Sequence, residues 1–214
     1  MSDKAKVTQE RILDAAITVF SHKGYHETKV DDIVEESATS KGAVYFYFPG
    51  KQQIFLALID KFADVLQQRM IAAVTPVSDG VERVNLALQV CLETFAQYRG
   101  LAKIFLVQAV GLGAVFETKR LQLHDRFAGV IKSYLDEAIA GGEIEPIDTE
   151  VIAYAWMGAI NEVVIRWVYT GQPEPERLIA PLRAMLLRSV GVPAARIEQL
   201  SPAPTITPKD NQHA

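Results

Sequence analysis

Almost every segment of this chain repeats its apolar residues three and four apart, and no convincing run alternates at two. Apolar groups at i, i+3, i+4 and i+7 share one side of a helix, whereas a half-buried strand needs strict alternation. The fold class expected is therefore all-α. Thr8 is placed to N-cap a first helix whose Ile12, Ala15, Ala16, Val19 and Phe20 lie on one face, with Lys23 and Gly24 as its stop. Thr28 and Asp31 read as a capping pair for a short second helix with Val30, Ile33 and Val34 inward. Ser37 to Ser40 break that helix. A third short one runs from Lys41 to about Tyr47, where Phe48-Pro49-Gly50 ends it. A long amphipathic helix extends from Lys51 to about Val74. Others are expected at about 79–98, 101–113, 116–140, 148–170 and 174–190, separated by glycines and prolines, for about nine in all. From Val192 onward, four prolines and no apolar period predict a flexible tail.

Of the 214 residues, 49% are hydrophobic and 22% charged, a soluble, globular balance. The start lacks the apolar run of a signal peptide. The richest apolar stretch, Val151 to Ile160, is about half the roughly 20 residues a membrane span needs, and Asn161, Glu162 and Arg166 interrupt its continuation. No membrane association is expected, and a cytoplasmic location is. A single cysteine, Cys91, excludes an internal disulfide and a cysteine-based zinc site. The net charge of −4 does not advertise nucleic acid, and residues 1–60 hold seven Lys/Arg against nine Asp/Glu. Any nucleic-acid contact must depend on where the charges stand.

Three helices in the first 48 residues, the second and third short and joined by a tight turn, describe a helix-turn-helix. In that arrangement the third helix enters the major groove and its first turn meets base edges. Helical phase divides the stretch Ser40-Lys41-Gly42-Ala43-Val44-Tyr45-Phe46-Tyr47-Phe48. Val44 and Phe48 share an inward face with Ile33 and Phe20 as partners, and Lys41, Gly42, Tyr45 and Tyr47 fall outside it. Phe46 is left open between packing on the first helix and the DNA side. Ser40 is placed to cap. Gly42 costs about 1 kcal/mol against Ala in a helix, which makes sense if its backbone must approach another surface. Tyr45 and Tyr47 can donate to phosphates, and Lys51 at the start of the next helix favours an anion there.

Thr28-Lys29-Val30-Asp31-Asp32-Ile33, then Ser40 to Phe48, then Lys51 and Phe55, resemble the signature of the TetR family of bacterial transcriptional regulators. Ile12-Leu13-Asp14-Ala15-Ala16, Phe20, Gly24 and Tyr25 fit as well. The resemblance implies a helix-turn-helix DNA-binding domain at 1–50, an effector-binding and dimerisation domain of helical-bundle type at 51–191, and a tail at 192–214. It implies a homodimeric repressor on a palindromic double-stranded operator, released by a small effector. Carried over by position, Lys41, Gly42 and Tyr45 become base-region contacts, while Thr28, Tyr47 and Lys51 become phosphate contacts. Ser40 and Lys29 join that set. The turn departs from the pattern: Ser37-Ala38-Thr39 stands where the family has Ala-Gly-Val, Lys29 replaces a second threonine and Val34 an alanine. Ala38 strains the turn if its φ is positive.

In the second half, aromatics at helical spacing are more often core than cavity wall. Phe62, Leu66, Phe95, Phe105, Phe127, Trp156, Asn161 and Glu162 are the candidate effector pocket. Asn161 and Glu162 also read as an ordinary polar pair or as subunit contacts. The helix at 148–170 is apolar almost all round, so a partner must cover its second side. Dimerisation through it and 174–190 is expected. A hydrophobic or amphipathic effector, fatty-acyl or aromatic, suits these helices, and the family's regulators of fatty-acid metabolism look broadly similar here. His124 reads as a surface histidine. No residue set offers catalysis, no spacing suits a metal, and Gly111-Leu112-Gly113 lacks the third glycine of a dinucleotide loop. The competing reading is a helical small-molecule-binding or scaffolding protein without operator binding, supported by the acidic N-terminal balance and the altered turn.

Overall fold

The structure, a computed structural model, describes residues 3–108 and 112–200. Every regular element among them is helical. The first three are α1 (Asp3–Glu27), α2 (Val30–Glu36) and α3 (Lys41–Tyr47), and α4 (Lys51–Val74) leads away from them. The bundle continues with α5 (Gly80–Gln97), α6 (Arg99–Lys103), a π-helical turn at Ile104–Gln108, α7 (Ala114–Ala140), α8 (Thr149–Thr170), α9 (Pro175–Ser189) and α10 (Ala194–Gln199).

The apolar face of α1 buries Ile12, Ala16 and Phe20 completely, and Ile33 of α2 and Val44 of α3 close over it. Phe48 ends α3 inside the same core. The start of α4 joins this unit through Phe55, whose ring meets Phe20 edge-on at 5.1 Å. Further along α4, Phe62, Leu66 and Met70 are buried in the bundle. One helix therefore serves both cores, so a shift of α4 moves the small unit with it.

Three local expectations need correction. Thr8 lies inside α1, which begins five residues earlier. The helix also runs past Gly24 to Glu27 with a break at that glycine, where φ is +79°. For α2 the N-cap is Lys29: its backbone N–H donates to Asp32 Oδ2 at 2.8 Å. The Thr28 hydroxyl turns back instead and donates to the Gly24 carbonyl at 2.7 Å, serving an acceptor the break leaves unpaired.

The turn between α2 and α3 bears out the strain read from its sequence. Ala38 has φ +48°, the left-handed region where a Cβ costs about 1–2 kcal/mol. Ser37 and Thr39 flank it with hydroxyls 2.7 Å apart. Ala38→Gly is therefore expected to raise unfolding stability by about 1 kcal/mol in a denaturant titration. An unchanged or lowered midpoint would show the turn to be unstrained.

Two differences from the expected elements lie in the second half. The helix expected at 101–113 is instead the short α6 leading into the π turn, and residues 109–111 lie outside the described residues. A Cβ on Gly100 would stand 2.9 Å from Ser21 Oγ, so the glycine lets α6 pass close to α1. The expected tail is structured at its start: α10 buries Ile197, and Val192 is buried ahead of it. The guanidinium of Arg196 bonds Asp79, which caps α5, and lies 3.6 Å from Glu143. Residues 201–214 fall outside the described residues. Finally, α8 is long and apolar enough to cross a membrane by length and composition, yet only 33% of its most apolar window is buried.

Candidate functional site

Helix α3 starts where Ser40 Oγ accepts from the Ala43 N–H at 3.1 Å. With Val44 and Phe48 turned inward, Lys41, Gly42, Tyr45 and Phe46 occupy the outer side and are exposed. Phe46 is 80% exposed, so it does not pack on α1. Its ring meets only half-buried Tyr47 edge-on at 5.1 Å. A Cβ on Gly42 would meet nothing within 4 Å, so no contact inside the chain demands glycine there.

Two of the four acidic residues of α2, Asp31 and Asp32, are matched by lysines from neighbouring elements. Lys41 Nζ lies 2.7 Å from Asp31, and Lys23 Nζ lies 3.0 Å from Asp32. The Lys29 N–H, then Lys23, hold the Asp32 carboxyl below its ordinary range. Hydrogen bonding to Asp31 raises the Lys41 ammonium above its own. Lys29 itself points to solvent. The unfavourable acidic count of residues 1–60 is thus partly neutralised inside the small unit.

Two expected phosphate contacts stand elsewhere. Thr28 is 1% exposed and its hydroxyl is spent on Gly24. Lys51 Nζ donates to the carbonyls of Tyr25 at 2.7 Å and His26 at 3.1 Å, and lies 4.5 Å from the Tyr25 ring centre. Both carbonyls belong to the last turn of α1, which ends at Glu27 and leaves them without helical donors, so a cation can satisfy them. No side chain caps the first turn of α4, because Gly50 precedes it.

Inside the bundle lies an apolar cavity of ≈ 50 Å³. Leu66, Phe95, Phe105, Phe127, Trp156 and Asn161 line it, joined by residues outside the expected pocket set, among them Met70, Ala87, Cys91, Tyr134 and Met157. Phe62 sits one layer behind, fully buried, with its ring 5.3 Å from Phe95 and 5.4 Å from Phe105. Glu162 is exposed: one residue past Asn161 turns about 100° around the helix and leaves the cavity side. Burial pushes the Cys91 thiol up to about 12, which keeps it protonated and unreactive.

A second cavity of ≈ 130 Å³ adjoins the first and shares Phe105 and Asn161 with it. Arg120 and His124 give it a polar wall. His124 is thus half-buried, not a surface histidine, and burial followed by the neighbouring Arg120 lowers its pKa. Phe105 belongs to the π turn, and the same stretch grips α1. Lys103 Nζ donates to the Ser21 carbonyl at 2.8 Å and Gln108 Nε2 to that of Phe20 at 2.9 Å. A π turn inside a helix is rare and recurs at functional positions. No sequence pattern announced it.

The outward side of α8 exposes Val151, Tyr154, Ala155, Gly158 and Tyr169, and Met185 of α9 is 51% exposed. Among the described residues, no group of three or more His, Cys, Asp or Glu side chains is placed to hold a metal ion.

Two family profiles match the chain. Residues 12–58 match the profile described as bacterial regulatory proteins, tetR family. Residues 77–190 match that of the tetracyclin repressor-like C-terminal domain. The chain is 25% identical over 170 residues to the fatty acid metabolism regulator protein of Bacillus subtilis, covering 76% of this chain and 84% of that one. It is 28% identical over 171 residues to the HTH-type transcriptional regulator SrpR of Pseudomonas putida, covering 78% and 76%. In fold it is similar to the transcriptional regulator FadR from Bacillus subtilis in complex with stearoyl-CoA, with TM-score 0.76, 23% identity and coverage of 83% and 97%. A TetR-family regulator from Syntrophomonas wolfei gives TM-score 0.78 at 23% identity, covering 88% and 98%.

Proposed function

The chain belongs to the TetR family of bacterial regulatory proteins, as a DNA-binding transcriptional regulator with a ligand-binding domain, and from that premise we propose a division of labour along it. Residues 1–50 read DNA and 51–191 bind an effector and a second copy of the chain. The homodimer represses from a palindromic operator in the cytoplasm. Lys41, Gly42 and Tyr45 face base edges, with Phe46 placed to press on thymine methyls or sugars. Lys29, Ser40 and Tyr47 serve the phosphate backbone. Lys51 and Thr28 contribute indirectly, by holding the end of α1.

The observation that carries this reading is the position of Phe105. Its ring forms part of both cavity walls, while Lys103 and Gln108 on the same stretch hold α1. A drug-sized ligand needs roughly 300 Å³ or more, so an occupant must push the walls of a ≈ 50 Å³ cavity outward. Displacing Phe105 would strain the grip on α1 and shift α4, whose two ends lie in the two cores. Half-sites must stand about one duplex turn apart or a multiple, so a small change in helix spacing weakens binding. The effector acts only as far as it prefers the state that does not fit DNA. An apolar or amphipathic effector, fatty-acyl or aromatic, suits the lining, and the stearoyl-CoA bound to the similar regulator supports an acyl compound.

The test is selection of DNA from a random pool, then operator titration across salt. Asp31→Asn is expected to free Lys41 and remove a charge facing the phosphates. Affinity should rise several-fold at low salt, with a salt slope steeper by about one. A variant lacking Lys41, Tyr45 and Phe46 side chains that binds as tightly as the parent would sink the contact assignment. Failure to select any DNA, with a ligand still bound, would favour a small-molecule-binding protein without operator binding.

A further inference from the structure

Two adjoining cavities, both mostly apolar in lining but only the second with charged or ring donors at its wall, place a tail and a head. The first is lined almost entirely by apolar side chains, and the second carries Arg120, His124 and Asn161. We propose that the second cavity is the head-group site of the effector and that it selects an uncharged hydrogen-bond acceptor, the carbonyl of an ester, amide or thioester, over a free carboxylate. The inference rests on the proposed effector site and adds the chemistry of the ligand's polar end.

The three polar side chains all offer donors: a guanidinium, a ring N–H and an amide. A carbonyl oxygen accepts two such bonds without bringing a charge. A carboxylate would need a positive charge of its own, and the wall has none to spare. Arg120 donates from Nε and Nη2 to Glu117 Oε2 at 3.0 and 2.9 Å, so its charge is already opposed by a carboxylate. Burial, then the Arg120 charge, lower the His124 pKa against the smaller opposing pull of Asp125, and so disfavour the charged ring. An anion entering here would lose hydration, stand near Glu117 and meet no net positive charge. The carbonyl sits where the cavities meet, beside Asn161 and Phe105, with its chain running into the apolar cavity toward Trp156.

Trp156 supplies the readout, because its indole lines the apolar cavity and its fluorescence, followed in a Trp167→Phe background, is expected to change when a chain enters. The probes are decane, decanoic acid, methyl decanoate and the decanoyl thioester of N-acetylcysteamine, titrated into the full-length protein at about pH 7.5. The ester and thioester are expected to bind about tenfold more tightly than the acid, and more tightly than decane. His124→Leu and Asn161→Leu should each weaken the ester roughly tenfold and leave decane within about twofold, while His124→Gln, which keeps a donor, should retain most of the affinity. Should a leucine variant not fold, the order of ester and acid in the Trp167→Phe background alone still decides. An acid that binds as tightly as the ester overturns the inference, as does an ester no tighter than decane and indifferent to all three variants. If none of the four probes binds, decane included, the effector reading of the apolar cavity falls as well.

Discussion

Gly42→Ala is expected to stabilise the free protein and at the same time weaken its operator binding about a hundredfold. Alanine is favoured over glycine in a helix by up to about 1 kcal/mol. A Cβ at this position meets nothing within 4 Å, so nothing inside the chain opposes the gain. A residue that costs stability and is not required by its own fold points to a surface that approaches from outside. Gly42 lies in the first turn of α3, beside Lys41 and on the same outer side as Tyr45. A methyl group there would hold the helix off the groove. If each half-site loses about a factor of ten, or 1.4 kcal/mol, a dimer contacting two half-sites loses about the square of that. Chemical denaturation and operator titration of the same preparation measure the two effects. Equal affinity for both proteins would remove Gly42 from the interface, and a lower unfolding midpoint would show that the chain needs the glycine for itself.

The features legible in the sequence and those hidden from it divide along a physical line. Helical phase is local, so the inward turn of Val44 and Phe48 and the full extent of α4 were legible, as was the strain at Ala38. Lys51 was misplaced because its partner is created by tertiary structure: α1 ends at Glu27, and the stranded carbonyls of its last turn happen to face the start of α4. Thr28 was misplaced for the same reason. Asn161 and Glu162 look equivalent as adjacent polar residues, yet one turns into the cavities and the other to solvent. His124 gave no sign of its setting, since its cavity is closed by residues from three other elements. The start of the expected tail is held by Ile197 and by the bond of Arg196 to Asp79, 117 residues away, which no local pattern can announce.

Gly158→Arg is expected to split the proposed homodimer and to weaken operator binding by about two orders of magnitude or more. Helix α8 has the composition of a buried helix but is only partly covered by its own chain. Val151 at 62% and Tyr169 at 65% exposure leave large apolar groups in water, and Met185 extends the patch onto α9. Such a patch marks an interaction surface. Ala155 and Gly158 put small residues among them, and a side chain at Gly158 has open space within the chain. An arginine there should therefore leave the monomer's fold intact and raise its helix propensity. Across a two-fold interface it appears twice, and each copy puts a long charged side chain where Ala155 and Gly158 leave room for a close approach, so the two faces can no longer meet. The mass in solution should fall from twice 23.7 kDa to 23.7 kDa with an unchanged helical spectrum. Operator affinity drops with it, because the second recognition helix no longer acts at the millimolar effective concentration that tethering provides. A variant that keeps the doubled mass and parental affinity would place the subunit contact elsewhere and leave the exposed face of α8 for a different partner.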